Sequence, residues 1–179
     1  MMANNNLDNF EIEHDKFMRE TVDKYQEEIK KYALEIKKGN TETFNYASLF
    51  QSYSALYNFT KDEEKYKCVS KETVEKFCNQ LLVRIKQDMG QNVDMANNYG
   101  YLSIVYEYKG DLKKALECLD KAVELDPSTL ITRGSFKNHN LNDRQGALED
   151  FKKALEIEQD PEQREFIQKH LIDQIDLIR

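Results

Sequence analysis

Glu11 and His14 stand three residues apart in a stretch that reads as helix, so both side chains fall on one face. That spacing offers a carboxylate and an imidazole to a metal ion, but a di-iron bundle needs a second such motif and two further glutamates. The other histidines, His139 and His170, have Phe136 and Ile167 three residues before them. Cys68, Cys78 and Cys118 show no CxxC spacing, and no Cys/His pattern matches a zinc site. A cysteine nucleophile needs a histidine and an orienting group brought to it. Cys78 and Cys118 lie on or beside apolar faces and read as buried structural thiols. Cys68 falls in a charged connector, where a redox role is the alternative. GxSxG, HExxH and a phosphate-cradling glycine loop are all missing. These residues predict a protein that is not an enzyme, with no catalytic residue, no metal ligand and no cofactor.

Composition narrows the classes further. The 179 residues carry 33 Asp+Glu against 26 Lys+Arg, a formal charge of −7. Six glycines and two prolines supply too few tight turns for a sandwich or barrel. A charged fraction of 33% beside 40% hydrophobic residues suits amphipathic helices with one apolar stripe. No apolar run approaches the ~18–20 residues of a membrane span, so no membrane role is expected. The polar opening, Met1 to Asn6, gives no export signal, which predicts reduced thiols in the cytoplasm. Lysine and arginine never run beyond pairs such as Lys30-Lys31, which argues against nucleic acid. An acidic surface suits a basic protein partner.

The elements that must position any site are helices. Met18, Val22, Tyr25, Ile29, Tyr32 and Ile36 form a heptad-like seam on a helix from about Leu7 to Lys38, stopped by Gly39. The seam wants another helix alongside and fades upstream at Asp15. A second helix spans about Thr41 to Phe59, and a third runs from an N-cap at Ser70 to about Gln87. After a loop at Gly90 to Asp94 the helices shorten into pairs: Met95–Tyr108 with Leu112–Leu125, then Ser128–Asn140 with Arg144–Glu158. Asp126-Pro127 and Asp160-Pro161 are start signals, Asp as cap and Pro at the first helical position, with Gln163 where a capping box would put it. A last helix carries Phe166, Ile167, Leu171, Ile175 and Ile178.

The two pairs repeat one another. Ala115 pairs with Ala147, Leu119 with Phe151 and Ala122 with Ala154 at one constant spacing. Tyr99, Leu102, Tyr106, Gly110, Ala115, Leu119, Ala122 and Pro127 carry the pattern in the first unit, with Ser103 where a glycine is usual. Over residues 96–179 the chain resembles the tetratricopeptide repeat, a 34-residue helix–turn–helix. In the second unit the stretch from Pro127 to Gly134 is about three residues shorter than expected, and the turn is one residue longer. Arg133 then falls where an inward leucine belongs, and the register of Ser128–Asn140 stays open.

The resemblance implies an all-α solenoid with a long N-terminal helix and a C-terminal capping helix, whose first helices line a concave binding face. Residues 1–6 are expected to be disordered, 7–90 to form a helical region that could be a degenerate repeat, and 94–179 to form two repeats plus the cap. The family's basic clamp for a carboxylate tail needs Lys and Asn where this chain has Gly100 and Ile104, so that clamp is absent. The groove positions read Asn97, Gly100, Tyr101, Ile104 and Tyr108, then Ile131, Ser135, Asn138 and His139, an aromatic, polar and uncharged surface. Tyr101 and Tyr108 either contact a partner or pack against a neighbouring helix. The resemblance points to a non-catalytic adaptor for a partner protein or peptide. A small acidic chaperone or immunity-type inhibitor and a self-associating helical module fit the same residues, with a monomer or homodimer as the state.

Overall fold

The computed structural model describes residues 2–178, with side chains over residues 11–169. Every regular element among them is helical: α1 (Met2–Lys37), α2 (Thr43–Thr60), α3 (Lys71–Gly90), α4 (Met95–Tyr108), α5 (Leu112–Leu125), α6 (Leu130–Asn140), α7 (Arg144–Ile157) and α8 (Pro161–Ile178). The expectation of disorder at residues 1–6 lies outside the described side chains, although the backbone of α1 begins at Met2. No described helix is long and apolar enough to cross a membrane. The chain divides into two compact units, 1–84 and 85–179, the division falling within α3.

In the first unit the seam of α1 finds its helix in α2. Phe17 meets Phe59 and Tyr32 meets Phe44, each edge-on with centroids 6.0 Å apart, so the two helices run antiparallel. Gly39 takes the left-handed conformation (φ +91°) that ends α1, as its position after two lysines predicts. Phe50, Leu56, Val74 and Leu81 form the buried interior, and Tyr53 stacks on Phe77 at 4.3 Å. Asp15, where the sequence seam fades, serves a polar contact instead. It accepts from Lys65 and from the Tyr66 hydroxyl, pinning the connector after α2 onto α1. Ser70 caps α3 by accepting from the Thr73 amide at 3.2 Å.

In the second unit the turns follow the repeat. Asp111 and Asp143 cap α5 and α7 by accepting the amides of Lys114 and Gly146, three residues on in each case. The residue before each cap is left-handed, Gly110 in the first turn and Asn142 in the second. In the first turn Asp111 donates its amide to the Tyr106 carbonyl; in the second Asp143 donates to that of Lys137, one residue further back. That is the longer turn expected from sequence. Asp126 and Asp160 cap the segments that open on Pro127 and Pro161. Gln163 closes no capping box: the Asp160 amide donates to Glu158 Oε1 instead. Ser128 belongs to a 3-10 turn, Pro127–Thr129, so α6 starts later than expected. Gly90 stays helical, and Asn92 and Asp94 take the positive φ in the loop that follows.

Two small cores hold the pairs together. Ala115, Leu119 and Phe136 form one, with Tyr106 against it; Leu130, Ala147, Phe151, Ala154 and Ile167 form the other. Ile167 thereby ties α8 to the last pair. Phe166 is half exposed, and Leu171, Ile175 and Ile178 lie outside the described side chains.

Candidate protein-interaction surface

The open register of α6 is settled by close packing. A Cβ built on Gly134 would stand 2.9 Å from Phe151 Cε1, so α6 and α7 touch there and only glycine fits without a shift. Gly134 is therefore the counterpart of buried Ser103 in α4, and buried Phe136 that of buried Val105. This pairing is one residue closer than that of Ala115 with Ala147, the difference being the extra residue in the turn. In the same register Arg133 corresponds to Leu102 and Lys137 to Tyr106. Asp150 in α7 corresponds to Cys118 in α5.

Those three replacements form one ion cluster. Arg133 donates through Nε and Nη2 to both oxygens of Asp150, at 2.9 and 2.7 Å, and through Nη1 to Asp120 Oδ1 at 2.8 Å. Lys137 Nζ lies 2.9 Å from Asp150 Oδ2. The Asp150 side chain is only 2% exposed. Burial pushes its carboxyl up, and the hydrogen bonds from Arg133 and Lys137 outweigh that, holding it below the usual carboxylate range. Hydrogen bonding to Asp150 raises Arg133 in turn. The sequence shows only that Arg133 is a misfit; its answer lies 17 residues away in α7.

The face expected to bind a partner lies on α4 and α6. Asn97, Tyr101, Ile104 and Tyr108 recur at helical spacing along α4. Asn97 is exposed and donates from Nδ2 to Asp94 at 2.8 Å, while Tyr101, Ile104 and Tyr108 are half-buried. A Cβ on Gly100 would meet no atom within 4 Å, so the middle of this stripe is open. On α6, Ser135 and Asn138 are half-buried and His139 is exposed. His139 Nδ1 is 2.8 Å from the Ser135 carbonyl, which makes Nδ1 the protonated nitrogen and leaves Nε2 as the acceptor of the neutral ring. Ile131 is partly buried and packs against the core around Leu130, Ala147 and Phe151. Glu107, one residue before Tyr108, is exposed, and its Oε1 accepts from Asn140 Nδ2 at 2.9 Å, joining the ends of α4 and α6. Neither residue is legible as a site residue in the sequence, because neither belongs to the repeat pattern.

Charge segregates between the helices of the first pair. α4 has one charged residue, Glu107, among its 14, whereas α5 carries Lys113, Lys114, Glu117, Asp120, Lys121 and Glu124. The signature aromatics face α5: Lys121 Nζ lies 5.4 Å from the Tyr99 centroid and Lys114 Nζ 5.6 Å from that of Tyr106. Among the described residues no three His, Cys, Asp or Glu side chains gather in a group able to hold a metal ion. Cys78 and Cys118 are buried, and burial pushes the Cys118 thiol up; Cys68 is exposed.

No curated protein matches the chain. Residues 96–129, which hold nearly all of α4, α5 and the Pro127–Thr129 turn, match the family model of the tetratricopeptide repeat. The match covers one helix pair, the pair whose small residues, Asp cap and prolyl restart have just been described. Residues 96–129 form one tetratricopeptide repeat.

Proposed function

We propose that the chain is a non-catalytic adaptor that takes a segment of a partner protein along α4 and α6, with Asn97, Tyr101, Ile104, Tyr108, Ser135, Asn138 and His139 as its contacts. The observation that carries this reading is the charge segregation of the first pair. A 14-residue helix with one charged residue, four tyrosines and an open glycine is costly to leave facing water unless its exposed face is used. Aromatic rings with a polar handle, beside amides and an imidazole, suit a helix or extended segment. They do not suit an acidic tail, for which a basic clamp would be required. Glu107 at the edge of the face and the net charge of −7 favour a basic partner through faster association. Three cysteines that stand as separate thiols suit a reducing compartment such as the cytoplasm.

Affinity capture from native extract at low salt, with a Tyr101→Ala/Ile104→Ala bait in parallel, tests the reading. One stoichiometric partner retained by the native chain and lost with the double variant is the expected result. Capture of nothing but the chain itself would overturn it in favour of a self-associating module. So would a partner held equally by both baits.

A further inference from the structure

The first unit holds a cleft that the adaptor reading does not use. Tyr25, Glu28 and Tyr32 share one face of α1 and meet Ser48, Gln51, Ser52 and Ala55 of α2; three of these four α2 side chains are small, and the space between the helices stays open. The open volume is about 220 Å³, on the scale of one long side chain and below that of a cofactor pocket. Both rings are braced by α2. Tyr25 tilts against Phe59 with centroids 6.5 Å apart, and Tyr32 meets Phe44 edge-on.

Glu28 lies between the two rings, half-buried. Its Oε2 accepts from Ser52 Oγ at 3.2 Å, but that hydroxyl has a single proton and stands closer, 2.9 Å, to the Ser48 carbonyl. No ion pair reaches Glu28 among the described residues, although Lys24 and Lys31 lie within about one turn of it on α1. Lys31 Nζ instead lies 5.1 Å from the Tyr32 ring centroid. α2 contributes no charge of either sign over its 18 residues. The cleft thus presents a carboxylate with unused acceptor capacity between two tyrosine rings, one of which already attracts a cation. A guanidinium matches both features, because it can hydrogen-bond a carboxylate with two parallel N–H groups and stack on a tyrosine.

We propose that the α1–α2 cleft is a recognition site for an arginine side chain presented by a partner polypeptide, with Glu28 as its counter-carboxylate and Tyr25 and Tyr32 as its walls. The net charge of −7 favours approach of the basic segment that would carry it. The site belongs to the first unit and stands or falls independently of the α4–α6 face.

Amide chemical-shift titration of the full chain tests this with the peptide acetyl-Gly-Arg-Gly-amide and its citrulline counterpart, which keeps the shape and loses the charge. Saturable shifts at Ser48, Ser52 and Ala55 are expected with arginine. They should weaken at least about tenfold with citrulline and in Glu28→Gln, the loss of a charge-assisted contact. Lys31→Gln should bind more tightly, since it removes the resident cation from Tyr32. The unchanged remainder of each variant's spectrum reports that the fold is intact. Equal binding of the citrulline peptide, full binding by Glu28→Gln, or shifts confined to α4 and α6 would overturn the proposal. No saturable shift with arginine would overturn it too.

Discussion

Exchanging the Arg133–Asp150 pair for the residues at the equivalent positions of the first repeat, Leu102 and Cys118, separates the worth of the pair from the cost of breaking it. Asp150 is 2% exposed, while Arg133 and Lys137 are 15% and 17% exposed. Arg133→Leu leaves a buried carboxylate with Lys137 alone, and should cost about 3 kcal/mol, the low end of the range for breaking a buried pair because one cation remains. Asp150→Cys leaves two cations that can still reach water along their stems, and Arg133 keeps Asp120 at 2.8 Å, so about 2 kcal/mol is expected. Independent effects would sum to about 5 kcal/mol. The double variant removes both the charge and its partner, and should fall within about 1 kcal/mol of the native chain, a coupling of about 4 kcal/mol. Urea unfolding followed by far-ultraviolet circular dichroism measures all four corners of the cycle, with unchanged m-values as the check on comparability. A double variant that loses the sum of the single losses would refute the coupled pair. So would an Arg133→Leu cost below about 0.5 kcal/mol.

The same carboxyl makes stability depend on pH. Because its folded-state pKa lies below the ordinary ~3.9, its contribution is fully present above that value and is lost as pH falls through the folded one. The stability gap between the native chain and Asp150→Asn should be constant from about pH 5 to 7 and close in acid; a gap that widens in acid would contradict the assignment. Two helical glycines should respond in opposite directions to alanine in thermal melts. Gly100→Ala, with no atom within 4 Å of the new methyl, should gain about 0.5–1 kcal/mol. Gly134→Ala should lose about 1 kcal/mol, since the methyl meets Phe151 at 2.9 Å and overpacking outweighs the helix gain. Ala115→Trp or Ala147→Trp, at fully buried positions, should unfold the second unit by circular dichroism or cost about 1–3 kcal/mol or more. Mass-resolved thiol labelling should modify Cys68 first, with Cys78 and Cys118 reacting only after denaturant is added, because both are buried and burial disfavours the Cys118 thiolate.

What the sequence by itself determined is local. The Asp caps at Asp126 and Asp160, the stop at Gly39 and the cap at Ser70 each act within four residues, so their effect is written in adjacent letters. The helix pair at 96–129 was legible for a related reason: small residues at Ser103, Ala115 and Ala122 mark where two neighbouring helices touch. Even the exchange of Cys118 for Asp150 could be seen by aligning the pairs. The register of α6 could not, because it rests on one ring of α7 filling the space beside Gly134. Tertiary structure alone decided the use of Arg133, whose partners come from α5 and α7, and of Asp15, whose partners lie across the chain in the connector after α2. It also packed Ile131 against the core and brought Asn140 to Glu107. A long charged or amide side chain can swing through several ångströms, and its sequence neighbours do not say which distant helix will supply the opposite charge.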